Sequence, residues 1–196
     1  MLKRIFDLLS SLTVFLLLLP ITLLIALLII ADSKGGVFYK QERIGKNGKP
    51  FLLWKFRTMS VNADQLGLIT VGGRDPRVTR VGYYLRKYKL DELPQLINIM
   101  LNDMSVVGPR PEVKKYVDLY TKRQQQVLQV KPGLTDLASL NYLNENELLG
   151  KAKNPEKTYI EEIMPAKLEL NLEYIEKQSL AYDLRIIFKT ISKIMS

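Results

Sequence analysis

The residues best placed to do chemistry are two adjacent carboxylates in Leu90-Asp91-Glu92-Leu93-Pro94-Gln95-Leu96. The chain has no histidine and no cysteine. An imidazole base, a thiol nucleophile, a Ser-His-Asp triad and thiolate or zincin metal sites are therefore excluded. Reactions are left to carboxylates, Lys, Arg, Tyr, Ser/Thr or a hard metal ion. Pro94 is tolerated only in the first turn of a helix. That makes Asp91 a natural N-cap and puts Glu92 at the first helical position. On one reading the two acids simply complement a helix N-terminus. On the other, Arg86, Lys87 and Lys89 keep Asp91 ionised, and an ionised carboxylate is a nucleophile for phosphorus. Glu92 points about 100° away around the helix, where it can hold a hard cation such as Mg2+.

Three groups of cations suit an anionic ligand. Lys55 and Arg57 close Lys55-Phe56-Arg57-Thr58-Met59 at the end of a strand, as phosphate ligands or as a charged, solvated edge. Arg110 lies between Pro109 and Pro111, on a backbone stiff enough to present a fixed fork to a phosphate, or as a soluble turn residue. Lys131, before Pro132-Gly133, is a weaker candidate of the same kind.

The elements that must carry these residues begin with a membrane segment. Leu8 to Ile30 is a run of 23 residues without a charge, about 35 Å as a helix against a hydrocarbon core of about 30 Å. Ala31-Asp32-Ser33-Lys34 is a poor signal-cleavage site. Pro20 sits mid-run, with Ser10, Ser11, Thr13 and Thr22 to satisfy freed carbonyls. Lys3 and Arg4 precede the run; Lys34, Lys40 and Arg43 follow it. Basic groups at both ends suit a helix that enters, breaks at Pro20 and returns, although a kinked spanning helix fits the same pattern. The net charge is +9, and residues 1–60 hold most of the excess, nine basic against three acidic groups. That placement points to anionic lipid or phosphorylated ligands.

Further along, Val37-Phe38-Tyr39 and Phe51-Leu52-Leu53-Trp54 read as a β-hairpin around an Asn47-Gly48 turn. Gly72-Gly73-Arg74-Asp75-Pro76 reads as a loop. Helices are expected over Val81–Tyr88, from Asp91 to about Leu101, over residues 112–129, and over Glu156–Gln178 with an interruption at Pro165. Leu184, Ile187, Phe188, Ile191 and Met195 form an apolar stripe beside a basic face of Arg185, Lys189 and Lys193. This helix either lies in a membrane interface or packs on a core with its basic face solvated.

Taken in order, these segments resemble the small monotopic bacterial phosphoglycosyl transferases of the bacterial sugar transferase family. The resemblance runs through Lys3-Arg4-Ile5-Phe6-Asp7, the apolar segment with Pro20, Lys55-Phe56-Arg57-Thr58-Met59 and Leu90-Asp91-Glu92-Leu93-Pro94-Gln95-Leu96-Ile97-Asn98. Asp103-Met104-Ser105-Val106-Val107-Gly108-Pro109-Arg110-Pro111 and Lys131-Pro132-Gly133-Leu134-Thr135 complete it. It implies an α+β, mostly α fold: a re-entrant membrane helix over 1–33, then a cytoplasmic-face catalytic domain over 34–196 with a small hairpin and interfacial amphipathic helices. The implied reaction moves a phosphosugar from a UDP-sugar to undecaprenyl phosphate at the bacterial inner membrane, releases UMP and starts assembly of a glycoconjugate. Asp91 would form a covalent phosphosugar intermediate, Glu92 would bind Mg2+, Arg86 and Arg110 would contact phosphate or nucleotide, and Asp183 would support the site. Two departures stand out: Leu19 before Pro20, where serine is usual, and Asp136-Leu137-Ala138-Ser139, where many members have a Gly-Trp stretch. The competing readings are direct transfer in a ternary complex and a non-catalytic, membrane-tethered basic module. Phospholipid is an expected partner and nucleic acid is not; homo-oligomerisation is left open.

Overall fold

In the computed structural model of the chain, the apolar run folds into one helix, α1 (Leu2–Asp32). The structure describes residues 2–63, 75–142 and 144–195, without the side chains of Ile194 and Met195. Most of the expected loop Gly72-Gly73-Arg74-Asp75-Pro76 falls outside these residues. α1 is long and apolar enough to cross a membrane. The break expected at Pro20 is corrected: the helix continues through the proline. Proline removes a single amide hydrogen, and beside it the Thr22 hydroxyl donates to the Leu19 carbonyl at 2.8 Å.

Positions of α1 turned from solvent recur every three or four residues: Asp7, Ser11, Phe15, Leu18, Thr22, Ile25 and Ile29. Phe15 packs on Leu53, Leu96, Ile99 and Met104. Ile25 and Ile29 pack on Phe56 and Leu85. The opposite positions, including Leu9, Leu16, Leu17, Leu23 and Leu27, are exposed. Polar clasps fasten both ends of the helix. Arg4 donates to the Ile99 and Met100 carbonyls. Asp7 accepts from the Ser105 hydroxyl at 2.9 Å and the Val106 amide at 3.1 Å. At the far end Asp32 accepts from the Val81 amide, and Arg57 donates to the carbonyls of Ile29, Ser33 and Lys34. Such cations satisfy the orphan carbonyls of a helix C-terminus.

The hairpin is β1 (Phe38–Ile44) antiparallel to β2 (Pro50–Phe56). Asn47 and Gly48 both have positive φ, as the Asn-Gly signal demands. After it come α2 (Arg80–Lys87), α3 (Gln95–Met100), β3 (Ser105–Val107) and α4 (Lys114–Val117). The remaining elements are β4 (Gly133–Thr135), α5 (Leu137–Asn141), α6 (Glu145–Lys151), α7 (Pro155–Thr158), α8 (Met164–Glu176) and α9 (Leu180–Met195). β3 and β4 pair in parallel; neither was expected, because three residues carry no readable alternation. The architecture is α+β and mostly helical.

The long helix expected over 112–129 is corrected to α4 and a separate 3-10 turn, Gln124–Gln129. Thr121 and Gln124 explain the split. Each side chain accepts from the other's backbone amide, at 2.9 and 3.3 Å, which is a reciprocal cap that starts a new turn. Pro165 does not interrupt α8, since it sits in its first turn. A π-turn at Tyr159–Ile163 joins α7 to α8.

Asp7→Ala leaves the buried Ser105 hydroxyl and the Val106 amide without their acceptor. The expected loss is about 1–3 kcal/mol, seen as a lower thermal midpoint in detergent micelles; an unchanged midpoint would show that the Asp7 clasp contributes nothing.

Candidate active site

Just beyond α2 and its cap Tyr88, Lys89 takes a left-handed conformation at φ 57. This is the C-terminal position that glycine usually fills. The turn it forces throws the next three residues, Leu90–Glu92, into a 3-10 turn. The N-cap expected at Asp91 is corrected accordingly: Pro94 caps α3, and Asp91 and Glu92 lie one turn ahead of it. Both point inward, 7% and 8% exposed, and both line a cavity of about 960 Å3.

The neighbouring elements hold this turn tightly. Gly82 of α2 lies over Thr58, where a Cβ would come 2.1 Å from the Thr58 carbonyl oxygen. The contact keeps Arg86 in reach of Thr58, whose hydroxyl accepts from Arg86 Nε at 3.0 Å. Asn98 of α3 accepts from the Trp54 amide and donates to the Leu52 carbonyl, fixing α3 to β2. β2 thereby presents Lys55 to Glu92, Nζ to Oε1 at 3.2 Å. On the other side, the parallel pair β3–β4 crosses so closely that a Cβ on Gly133 would fall 2.1 Å from the Gly108 nitrogen. The crossing aims Gly108-Pro109-Arg110 into the cavity, where the Arg110 guanidinium donates to both oxygens of Glu92.

The two carboxylates therefore differ. Burial works against ionisation of Glu92, but Arg110 and then Lys55 outweigh it and hold Glu92 well below the usual carboxylate range. Burial pushes the Asp91 carboxyl above that range; Lys55 opposes the shift and Glu92 reinforces it. No hydrogen bond or ion pair engages the Asp91 carboxylate among the described residues. A buried, unengaged carboxylate beside a neutralised one is suited to attack an electrophile that brings its own compensating contacts.

The structure brings together Lys55, Arg86, Asp91, Glu92 and Arg110. Arg57 also borders the cavity, but its donors clasp the end of α1. Lys131 donates to Asn102 and lies outside the cavity wall. Asp183 is fully buried away from it and accepts from Lys3 at 2.5 Å and Tyr174 at 2.6 Å. Pro20 stays within α1. Sequence reasoning missed a second layer. Arg43 donates to Glu112 at 3.0 Å, Tyr159 donates to the other Glu112 oxygen, and Lys167 donates to Glu145 at 2.7 Å. Partners far apart in the chain left no local signal. The apolar mouth is formed by Phe6 and Val14 of α1 and Leu184, Phe188 and Ile191 of α9.

The family model described as bacterial sugar transferase matches residues 1–196. The UDP-glucose:undecaprenyl-phosphate glucose-1-phosphate transferase of Escherichia coli (strain K12) is 36% identical over 98% of this chain and 40% of that protein. The exopolysaccharide production protein PSS of Rhizobium leguminosarum bv. phaseoli is 39% identical over 97% of this chain and 93% of its own length. The UDP-N-acetylgalactosamine-undecaprenyl-phosphate N-acetylgalactosaminephosphotransferase of Aeromonas hydrophila is 36% identical over 99% of this chain and 44% of that protein. The chain thus spans less than half the length of two of these relatives.

Gly133→Ala drives a methyl into the Gly108 backbone. It is expected to lower the urea midpoint by an amount equivalent to about 1–3 kcal/mol, while alanine at the open turn position Gly48 acts only through its φ. Equal tolerance at both sites would show that the close crossing of β3 and β4 does not constrain the Arg110 turn.

Proposed function

We propose that this chain, which belongs to the bacterial sugar transferase family, transfers a sugar 1-phosphate from a UDP-sugar to undecaprenyl phosphate, with Asp91 as a covalent nucleophile. The observation that carries this reading is the unengaged, buried Asp91 carboxylate beside a Glu92 neutralised by Arg110 and Lys55. In the first step an Asp91 oxygen attacks the phosphorus that bears the sugar. The bond from that phosphorus to the bridging oxygen breaks, and UMP leaves with the electron pair. In the second step a phosphate oxygen of undecaprenyl phosphate attacks the same phosphorus. The acyl-phosphate bond breaks, Asp91 is restored as a carboxylate, and the lipid carries a sugar diphosphate. The product is the first intermediate of an exopolysaccharide or another glycoconjugate.

Arg86, Lys55 and Arg110 supply the positive charge that two anionic substrates require. Glu92 keeps Lys55 and Arg110 fixed beside the reacting phosphorus. Mg2+ fits the donor set: Glu92 Oε2 carries only a 3.4 Å contact to Arg110, and Asp91 adjoins it. No cluster of three protein ligands exists among the described residues, and Mg2+ ordinarily takes one or two carboxylates with water and substrate phosphate oxygens. When bound there, the ion neutralises charge developing on the diphosphate.

The same reading places the enzyme at the bacterial inner membrane with residues 34–196 on the cytoplasmic face, where nucleotide sugars are made. Both ends of α1 are fastened to one folded body. Two ends held by one body support placing both on the same side of a bilayer, and re-entry over 1–33 then requires the continuous α1 to bend where Pro20 removes an amide hydrogen. Leu184, Phe188 and Ile191 are exposed on α9, while its Asp183 and Ile186 are buried. That pattern suits a helix lying in the interface beside the cavity mouth.

A panel of UDP-sugars with undecaprenyl phosphate should release UMP from at least one donor. Asp91→Asn should abolish release and leave the protein folded, because it replaces a carboxyl whose burial opposes ionisation with a neutral isostere. Mass analysis after mixing with donor alone should find a phosphosugar adduct on Asp91; turnover without an adduct would establish direct transfer instead. The pH dependence has a fixed sign. Nucleophilic Asp91 must be ionised, and its folded pKa lies above the ordinary value of about 3.9. kcat/KM should therefore fall with acidification at a pH clearly above 4, and the unfolding free energy contributed by this group should decline as pH rises through the same window. An acid limb at or below pH 4 would contradict a raised Asp91.

A further inference from the structure

Asn171 of α8 is 4% exposed and sits on the wall of the Asp91 cavity. Its carboxamide oxygen is buried without a hydrogen-bond partner. A buried acceptor left open is uncommon in a folded protein, and here its residue lines a cavity. One turn earlier on the same face, Lys167 also lines the cavity and is paired with Glu145. The π-turn at Tyr159–Ile163 leads directly into this helix, and such turns often accompany functional sites.

Charge separates the two flanks of the cavity. On the Asn171 flank Arg43 is paired with Glu112 and Lys167 with Glu145. This wall is charge-balanced and rich in hydrogen-bonding groups. On the flank built by α2 and the turn after it, Arg86 and Lys89 act on Asp91. A donor with its reacting phosphorus at Asp91 extends a nucleoside phosphate to one side and a neutral polyol to the other. The Arg86 and Lys89 side chains beside Asp91 suit the former, and the paired charges around Asn171 suit the latter.

We propose that Asn171 is a specificity-determining residue of the donor site, its carboxamide accepting a hydrogen bond from a hydroxyl or amide N–H of the transferred sugar. This rests on the transferase reading above. The removed contact is a neutral hydrogen bond, so Asn171→Ala should lower kcat/KM for the best UDP-sugar by about tenfold and flatten discrimination between it and its C4 epimer. Inhibition by UDP, which carries no sugar, should stay within about twofold of the unmodified enzyme.

The test uses the full chain in detergent or nanodiscs, with UMP release from UDP-glucose, UDP-galactose and their N-acetyl counterparts. Asn171→Leu, of similar size but unable to accept a hydrogen bond, is measured in parallel, and it decides the question if the alanine variant does not fold. It too should reorder the donors while UDP inhibition holds. A parallel loss of UDP inhibition would show that Asn171 reads the nucleotide. An unchanged donor ranking in both variants would show that it reads nothing. Either result overturns the proposal while leaving the transferase reading intact. No UMP from any donor with the unmodified enzyme would overturn the transferase reading itself, and this inference with it.

Discussion

Two neighbouring carboxylates cannot both be buried and ionised without compensation. The structure meets this constraint by treating them unequally. Glu92 receives the Arg110 fork and the Lys55 ammonium, and Asp91 receives neither as a hydrogen-bond partner. Coulomb attraction at a buried position makes the first group a settled anion. The same burial leaves the second group without a hydrogen-bonded cation, as the proposed nucleophile requires. Had Arg110 been shared evenly between the two, Asp91 would be a well-solvated spectator and a poorer nucleophile. On the proposed mechanism, stability and reactivity thus fall to separate residues one peptide bond apart.

That division depends on backbone contacts with little room for adjustment. Gly82 rests on Thr58 and Gly133 on Gly108, each leaving no space for a side-chain carbon. Lys89 holds a left-handed turn that a lysine adopts at some cost. Asn98 joins α3 to the hairpin through hydrogen bonds to two β2 residues. Close approaches of this kind fix the positions of Lys55, Arg86 and Arg110 more firmly than side-chain packing alone, because backbone atoms cannot change rotamer.

The acidic pair was legible from the sequence because the absence of histidine and cysteine left few alternatives and Pro94 marked a helix start. The hairpin was legible from Asn47-Gly48, and α1 from its unbroken apolarity. What stayed hidden depends on contacts between distant segments. Arg57 reads as a phosphate ligand when seen two residues from Lys55. Only the fold shows that the last carbonyls of α1 meet its guanidinium. Asp183 looks like part of a site until Lys3, 180 positions away, is found against it. The Arg43–Glu112–Tyr159 group and Asn171 come from elements whose spacing carries no chemical pattern. The strands β3 and β4 were too short to register, although their crossing aims Arg110.

The two clasps on α1 bear on how the protein meets lipids of different kinds. A spanning helix must match the hydrocarbon thickness or tilt to accommodate it. α1 is anchored through Arg4 and Asp7 near its start and through Asp32 and the Arg57 contacts at its close, all to the same body. On the proposed one-sided placement neither end is held at an opposite leaflet, so acyl-chain length exerts little leverage on it. In that placement, headgroup charge and the packing of a single leaflet become the bilayer properties to which α1 responds.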